Sequence, residues 1–167
     1  MIAISIMMPV ISAVLRKHCL HLDRMFTVTA DRDEILHADK VILPGVGAFG
    51  DAMEKLKQSG LDEVIREVIE KGTPFLGICL GLQLLFEHSD EAPGVEGLGI
   101  LKGEILRIPD KEGYKIPHMG WNSLHLENDG RLFKGIAENS YVYFVHSYYL
   151  KAEEEQIVKA STEYTTH

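Results

Sequence analysis

The sequence predicts an α/β sandwich whose central sheet is mainly parallel. Two short apolar runs, at positions 41–43 and 75–79, have the length and composition of buried strands. The segments 51–58 and 61–69 lie between them and carry apolar residues at helical spacing, with charged residues on the opposite face. Strands and helices that alternate in this way predict parallel strands joined by right-handed crossovers.

Glycine and proline mark the element boundaries. Gly60 and Gly72 each follow a predicted helix, and Pro74 prevents the second helix from continuing. A strand is predicted at Phe75–Cys79 and a further helix at Gly81–His88. Strand-like runs then occur at 100–108, 123–126 and 141–145, separated by glycine and proline. We expect hairpins or an edge extension of the sheet there.

Length and composition favour a single domain that spans residues 1–167. The chain has no internal repeat or linker, and its formal charge of −8 disfavours the basic surface that nucleic acid requires. Its two cysteines are too few for a disulfide scaffold, which favours a reduced, cytoplasmic location. The apolar opening at 1–15 has no basic leader and is shorter than the ~20 residues of a membrane span. We therefore expect neither nucleic acid nor a membrane as partner.

Cys79 lies in the pattern Gly77-x-Cys79-x-Gly81, between a predicted strand and a predicted helix. Flanking glycines allow a cramped turn that lifts the central side chain clear of the sheet, and the start of a helix favours a negative charge there. The pattern therefore predicts a nucleophilic thiolate at Cys79. The alternative is a buried structural cysteine, which is the commonest role of a lone cysteine but does not account for the glycines.

The stretch Pro44-Gly45-Val46-Gly47 ends the neighbouring strand and is a candidate source of oxyanion donors. Its glycines leave backbone N–H groups unobstructed at the carboxyl ends of the strands. Positions 45–50 also fit G-x-G-x-x-G, which is typical of a dinucleotide site. The acid that such a site needs at the end of the next strand is missing, because that strand ends in Cys79.

Four stretches occur together in order: Pro44 to Gly47, Gly77 to Glu87, Pro117 to Asn122 and Tyr143 to Tyr148. With them the chain resembles, from about Met25 to Tyr164, the glutaminase subunit of imidazole glycerol phosphate synthase, a class I glutamine amidotransferase. The resemblance implies a flavodoxin-like three-layer sandwich with a mainly parallel central sheet. It also implies glutamine as substrate, no metal or organic cofactor, and a heterodimer with a cyclase (β/α)-barrel that receives ammonia.

The same resemblance implies a role for individual residues. Cys79 would attack the side-chain amide of glutamine. The oxyanion hole would consist of N–H groups of Gly45, Val46, Gly47 and Leu80. Glutamine would be held by Gln83 and Glu91, and by the backbone around His146, Ser147 and Tyr148. The cyclase would lie against Pro117, His118, Met119, Gly120, Trp121 and Asn122.

Each assignment has a structural alternative. Gln83 and Glu91 could be solvated helix and loop residues, and Trp121 could belong to the core. Three aromatic residues are equally good candidates for strand core: Tyr143, Phe144 and Tyr148. His118 and His146 are possible general bases, but nothing in their spacing to Cys79 supports that role.

The sequence departs from the family pattern near its end. The family carries its general base and orienting acid in a His-Pro-Glu stretch, and the chain as given ends at His167 before any such stretch. We therefore expect that the C-terminal part of the fold is missing and that this form is inactive. Two alternatives stay open: a catalytically dead binding protein of this fold, or another thiol hydrolase or amidotransferase of this fold.

A second departure lies at Ser5–Leu22, where the family has a strand followed by Asp-Tyr-x-x-Gly-Asn. A shift in reading frame accounts for it, since one added base permits Ile-Asp-Tyr-Asp-Ala-Gly-Asn with suitable synonymous codons. The sequence of the gene would decide this hypothesis.

Overall fold

The structure is a computed structural model that describes residues 1–5, 9–23, 25–127 and 130–166. The chain divides into two compact units, residues 1–101 and 102–167, and each is described by itself. The single domain expected from the sequence stays a prediction. Part of the divergent segment, at 6–8, and His167 lie outside the described residues.

The first unit contains a sheet of four parallel strands. These are β1 (Ile2–Ser5), β2 (Phe26–Thr29), β3 (Lys40–Gly45) and β4 (Phe75–Cys79), in the spatial order β2-β1-β3-β4. The same order begins the sheet of flavodoxin-like folds. The predicted α/β fold with a mainly parallel sheet is thereby confirmed. A short strand, β5 (His88–Ser89), follows later in this unit.

The helices of the first unit are α1 (Pro9–His21), α2 (Arg32–Leu36), α3 (Phe49–Ser59), α4 (Leu61–Glu70) and α5 (Leu80–Gln83). Gly60 ends α3 in the left-handed conformation, with φ of 68°. Beyond α4, Gly72 has φ of 75° and the Thr73 N–H donates to the Val68 carbonyl at 3.2 Å, which is a Schellman ending. The two predicted helix ends are confirmed.

Apolar faces of α3 and α4 form much of the core. The fully buried side chains on these helices and on β3 are Phe49, Met53, Leu56, Ile65, Val41 and Leu43. Burial of such side chains contributes roughly 1.5–3 kcal/mol each. By contrast, α1 leaves Val14 and Leu20 exposed while it buries Cys19. The reading-frame hypothesis for this segment stays a prediction. None of the helices in the described residues has the length and apolar character needed to cross a bilayer.

The helix predicted at Gly81–His88 is wrong in its length, because α5 ends at Gln83. The carbonyls that would continue it are taken by a later loop of the same unit. The Leu84 carbonyl accepts from the Leu98 N–H at 2.8 Å, and the Leu85 carbonyl accepts from the Ile100 N–H at 2.8 Å. These long-range hydrogen bonds replace the next helical turn.

Glycine allows the start of α5 to lie directly against β3. A Cβ at Gly81 would lie 1.9 Å from the Leu43 carbonyl oxygen, and one at Gly45 would lie 2.7 Å from the Gly81 nitrogen. A Cβ at Gly77 would meet the Gly81 carbonyl oxygen at 2.7 Å. All these distances are too short for a side chain. The turn at the end of β4 therefore requires glycine on both sides of Cys79.

The second unit consists of short antiparallel pairs. They are β6 (Gly103–Arg107) with β10 (Tyr148–Ala152), β7 (His118–Ser123) with β9 (Tyr141–His146), and β8 (His125–Leu126) with β11 (Ala160–Ser161). Single turns of 3₁₀-helix occur at Arg131–Phe133 and Glu155–Ile157. The predicted strand runs are confirmed. In the part of the chain that the structure describes, the paired strands are not consecutive in sequence, so they do not form simple hairpins.

A buried imidazole organises the ribbon of β7 and β9. The His118 side chain is only 4% exposed and is stacked between Tyr164, at a centroid distance of 3.8 Å, and Phe144, at 4.8 Å. His146 Nδ1 lies 2.9 Å from the Tyr148 carbonyl, which places its proton on Nδ1. Its Nε2 then accepts from His118 Nδ1–H at 3.1 Å. Burial lowers the pKa of His118, and the neighbouring His146 lowers it further.

The glycine contact with β3 predicts that Gly81→Ala destabilises the chain by about 3 kcal/mol or more, since the added methyl group overlaps the Leu43 carbonyl. Gly72→Ala is the control: a Cβ there meets nothing within 4 Å, so only the positive φ opposes it. We expect about 1 kcal/mol for that control. Urea unfolding of both variants measures the difference, and equal losses would contradict the contact.

The buried imidazole predicts a pH dependence of stability. Because the pKa of His118 is lowered in the folded chain, the unfolded chain binds more protons as the pH falls below the ordinary value of 6.5. The free energy of unfolding should therefore fall between about pH 8 and about pH 5, and His118→Gln should flatten this fall. His37→Gln, at an exposed imidazole, serves as control. An unchanged pH profile in the His118 variant would contradict the prediction.

Candidate active site

Cys79 has a strained backbone and an exposed side chain. It forms the junction of β4 and α5 with φ of 54° and ψ of −119°, a conformation that costs a non-glycine residue about 1–3 kcal/mol. Such strain at a strand-to-helix turn is the geometry of a nucleophile elbow. The alternative of a buried structural cysteine is wrong for Cys79, whereas Cys19 is buried.

The end of β3 lies beside the nucleophile. Gly45 is the register partner of Cys79 in the parallel pairing of β3 and β4, and a Cβ at Gly45 would lie 3.0 Å from that of Leu80. Val46 and Gly47 follow at the carboxyl edge, and Gly47 has φ of 96°. The structure thus brings together the backbone segments that we predicted as oxyanion donors. Their role as donors stays a prediction.

Of the predicted side-chain contacts to glutamine, Gln83 follows Cys79 by one helical turn and is half-buried at the end of α5. Glu91 is half-buried as well, and its Oε2 accepts a hydrogen bond from the Phe49 N–H at 2.8 Å. The alternative of a freely solvated loop residue is therefore wrong for Glu91. Sequence reasoning missed this bond, because no local pattern links Glu91 to the start of α3.

The predicted backbone contacts to glutamine lie in the second unit, where Ser147 joins β9 to β10. The Ser147 carbonyl accepts from the Ile108 N–H at 2.9 Å, and the Tyr148 carbonyl accepts from the His146 ring. The backbone at 146–148 is thus held by hydrogen bonds within this unit. The ring nitrogens of His118 and His146 are engaged in the pairing described above.

The stretch predicted to face a partner forms β7. Met119 is 61% exposed and Trp121 is 69% exposed, and they share one face of the ribbon with Tyr143 and Val145 on β9. The core alternative is wrong for Trp121 and Tyr143, whereas Phe144 and Tyr148 are half-buried. The other members of the predicted stretch differ: Pro117 is exposed, His118 is buried, and Gly120 and Asn122 are half-buried. The Asn122 side chain donates to the Glu163 carbonyl at 2.7 Å.

In the described ranges, no group of three or more His, Cys, Asp and Glu side chains is arranged to hold a metal ion. The residues around Cys79 are a thiol, a carboxylate, a carboxamide and backbone amides. Such a set can carry out nucleophilic attack by sulfur on a carbonyl carbon, with backbone N–H groups available for an oxyanion.

Comparison with known proteins agrees with this geometry. The chain is 56% identical over 137 residues to the imidazole glycerol phosphate synthase subunit HisH of Moorella thermoacetica, covering 82% of this chain and 64% of that protein. It is 49% identical over 143 residues to the HisH subunit of Geobacillus thermodenitrificans, covering 83% and 67%. The chain thus spans about two thirds of the length of the curated relatives it matches.

A solved structure described as a glutamine amidotransferase superimposes with a TM-score of 0.71 at 16% sequence identity, covering 95% of this chain and 78% of that one. At this identity the likeness shows the fold alone. The sequence profile described as Glutamine amidotransferase class-I matches residues 11–167. The chain therefore belongs to the class I glutamine amidotransferases.

Proposed function

We propose that the chain carries the nucleophile of a glutaminase that supplies ammonia for imidazole glycerol phosphate synthesis in histidine biosynthesis. The observation that carries this proposal is the strained, exposed Cys79, paired in register with Gly45 at the carboxyl edge of a parallel sheet. The printed function of the HisH relatives supports the substrate and the pathway.

The reaction begins when the Cys79 thiolate attacks the side-chain carbonyl carbon of glutamine and forms an S–C bond. The carbonyl oxygen becomes an oxyanion, for which the N–H groups of Gly45, Val46, Gly47 and Leu80 are the proposed donors. The C–N bond then breaks, the nitrogen takes a proton and leaves as ammonia, and a glutamyl thioester remains. Water hydrolyses the thioester to glutamate and restores the thiol.

A thiol needs a general base and a proton donor for this cycle. The given sequence contains no His-Pro-Glu stretch, and the paired imidazoles of the second unit have no described link to Cys79. We therefore propose that the 167-residue chain alone binds glutamine but turns it over slowly. A catalytically dead binding protein is the second candidate, and labelling at Cys79 distinguishes the two.

The exposed face of Met119, Trp121, Tyr143 and Val145 is proposed to bind the cyclase (β/α)-barrel. Large apolar and aromatic side chains in water are typical of the centre of a protein interface. The relatives' name describes them as subunits of a synthase, which supports a heterodimer. A reducing compartment keeps an exposed thiol free, so we also propose a cytoplasmic location.

A chloroketone analogue of glutamine should label Cys79, because the thiolate displaces chloride and forms an S–C bond. Peptide mass mapping should find the adduct at Cys79 and not at Cys19, since only the former thiol is exposed. Excess glutamine should slow the labelling. Cys19→Ser should react like the unaltered chain and Cys79→Ser should not react. Labelling that glutamine does not slow would contradict a glutamine site.

Trp121→Ala should weaken binding of a purified cyclase subunit by at least about tenfold, because an exposed tryptophan at an interface centre contributes strongly to affinity. Leu132→Ala is the matched control, since Leu132 is 73% exposed in the same unit but lies outside the ribbon. Titration calorimetry measures both. Equal weakening by the two variants, or none by the Trp121 variant, would overturn the assignment of this face.

A further inference from the structure

The first turn of α3 is capped by a residue far away in the sequence. Ala48 occupies the position before the helix and has no side-chain oxygen, so it makes no cap hydrogen bond. The Glu91 carboxylate, separated by 42 residues, accepts from the Phe49 N–H at 2.8 Å instead. It thereby satisfies an amide that the helix cannot satisfy itself and places negative charge at the positive end of the helix.

Glu91 is itself held in a tight turn. Its N–H donates to the Ser89 Oγ at 3.2 Å, and the Ser89 carbonyl accepts from the Ala92 N–H at 3.1 Å. The first turn of α3 also packs closely on this segment, because a Cβ at Gly50 would lie 3.3 Å from that of Ala92. The carboxylate is therefore presented to α3 from a well-defined position.

The start of α3 is one end of the oxyanion loop, which we define as residues 45–48. The other end is Gly45, held by its pairing with Cys79 in the sheet. Between the two ends, Gly47 has φ of 96°, which is a conformation that favours glycine. Because the loop is so short, the position of its N–H groups depends on both ends being held.

We propose that Glu91 is a positioning residue for the oxyanion loop, acting through its hydrogen bond to the Phe49 N–H. This inference rests on the proposed function of Cys79 and deepens it. The resemblance assigns Glu91 only to the substrate, whereas here Oε2 is used by the helix. The second carboxylate oxygen can accept from the ammonium group of glutamine. One side chain then links the bound substrate to the loop that stabilises its oxyanion.

Three variants of the whole chain separate positioning from substrate contact. Glu91→Ala removes the cap, whereas Glu91→Gln keeps an oxygen that can accept from Phe49 but removes the charge. Glu96→Ala, at an exposed acid in the same region, controls for the change in net charge. The readouts are the hydrogen-exchange rate of the Phe49 amide by NMR, and the maximal rate and half-saturating concentration for Cys79 labelling by the chloroketone analogue of glutamine.

Glu91→Ala should raise the Phe49 exchange rate and lower the maximal labelling rate, each by about tenfold. Glu91→Gln should change both by less than about threefold but should raise the half-saturating concentration, because the ammonium group loses its charged partner. The Glu96 variant should match the unaltered chain.

An unchanged Phe49 exchange rate in Glu91→Ala would overturn the proposal, as would equal maximal labelling rates in the Ala and Gln variants. A chain that the chloroketone fails to label would contradict the proposed function. Phe49 exchange would then still decide whether Glu91 holds the helix start.

Discussion

Direct backbone contact between β3 and the start of α5 is the constraint on which the candidate site depends. With hydrogen in place of a side chain at Gly81, the helix start can reach the Leu43 carbonyl, and Gly45 then comes to lie against Leu80. The same contact fixes the turn that gives Cys79 its positive φ. Strain of this kind persists only where the surroundings determine the backbone, and here three glycine contacts do so.

Features that depend on local pattern could be predicted from the sequence. The strands β3 and β4, the helices α3 and α4, and the glycine at each helix end follow from apolar spacing and from residue conformational preferences. The nucleophile turn could be predicted for the same reason, since its glycines flank Cys79 directly. The length of α5 could not, because its carbonyls are taken by amides at 97–101, which no local window contains.

The site's support was equally hidden from the sequence. The bond from Phe49 to Glu91 and the stacking of His118 on Tyr164 join residues that are distant in the chain. A carboxylate in a loop and an imidazole in a strand have several ordinary roles, and only their neighbours decide among them. The exposed face of β7 and β9 follows from strand alternation, but the face that points to water became clear only from the burial of His118.

The openness of the Cys79 thiol has a chemical cost. A site that admits a small polar substrate also admits hydrogen peroxide, and an exposed thiolate is oxidised first to a sulfenic acid and then irreversibly. Cys19 is shielded by its burial in α1. Oxidative damage to this protein will therefore concentrate on the residue that does the chemistry, and the protein will lose its reactive group while its fold stays intact.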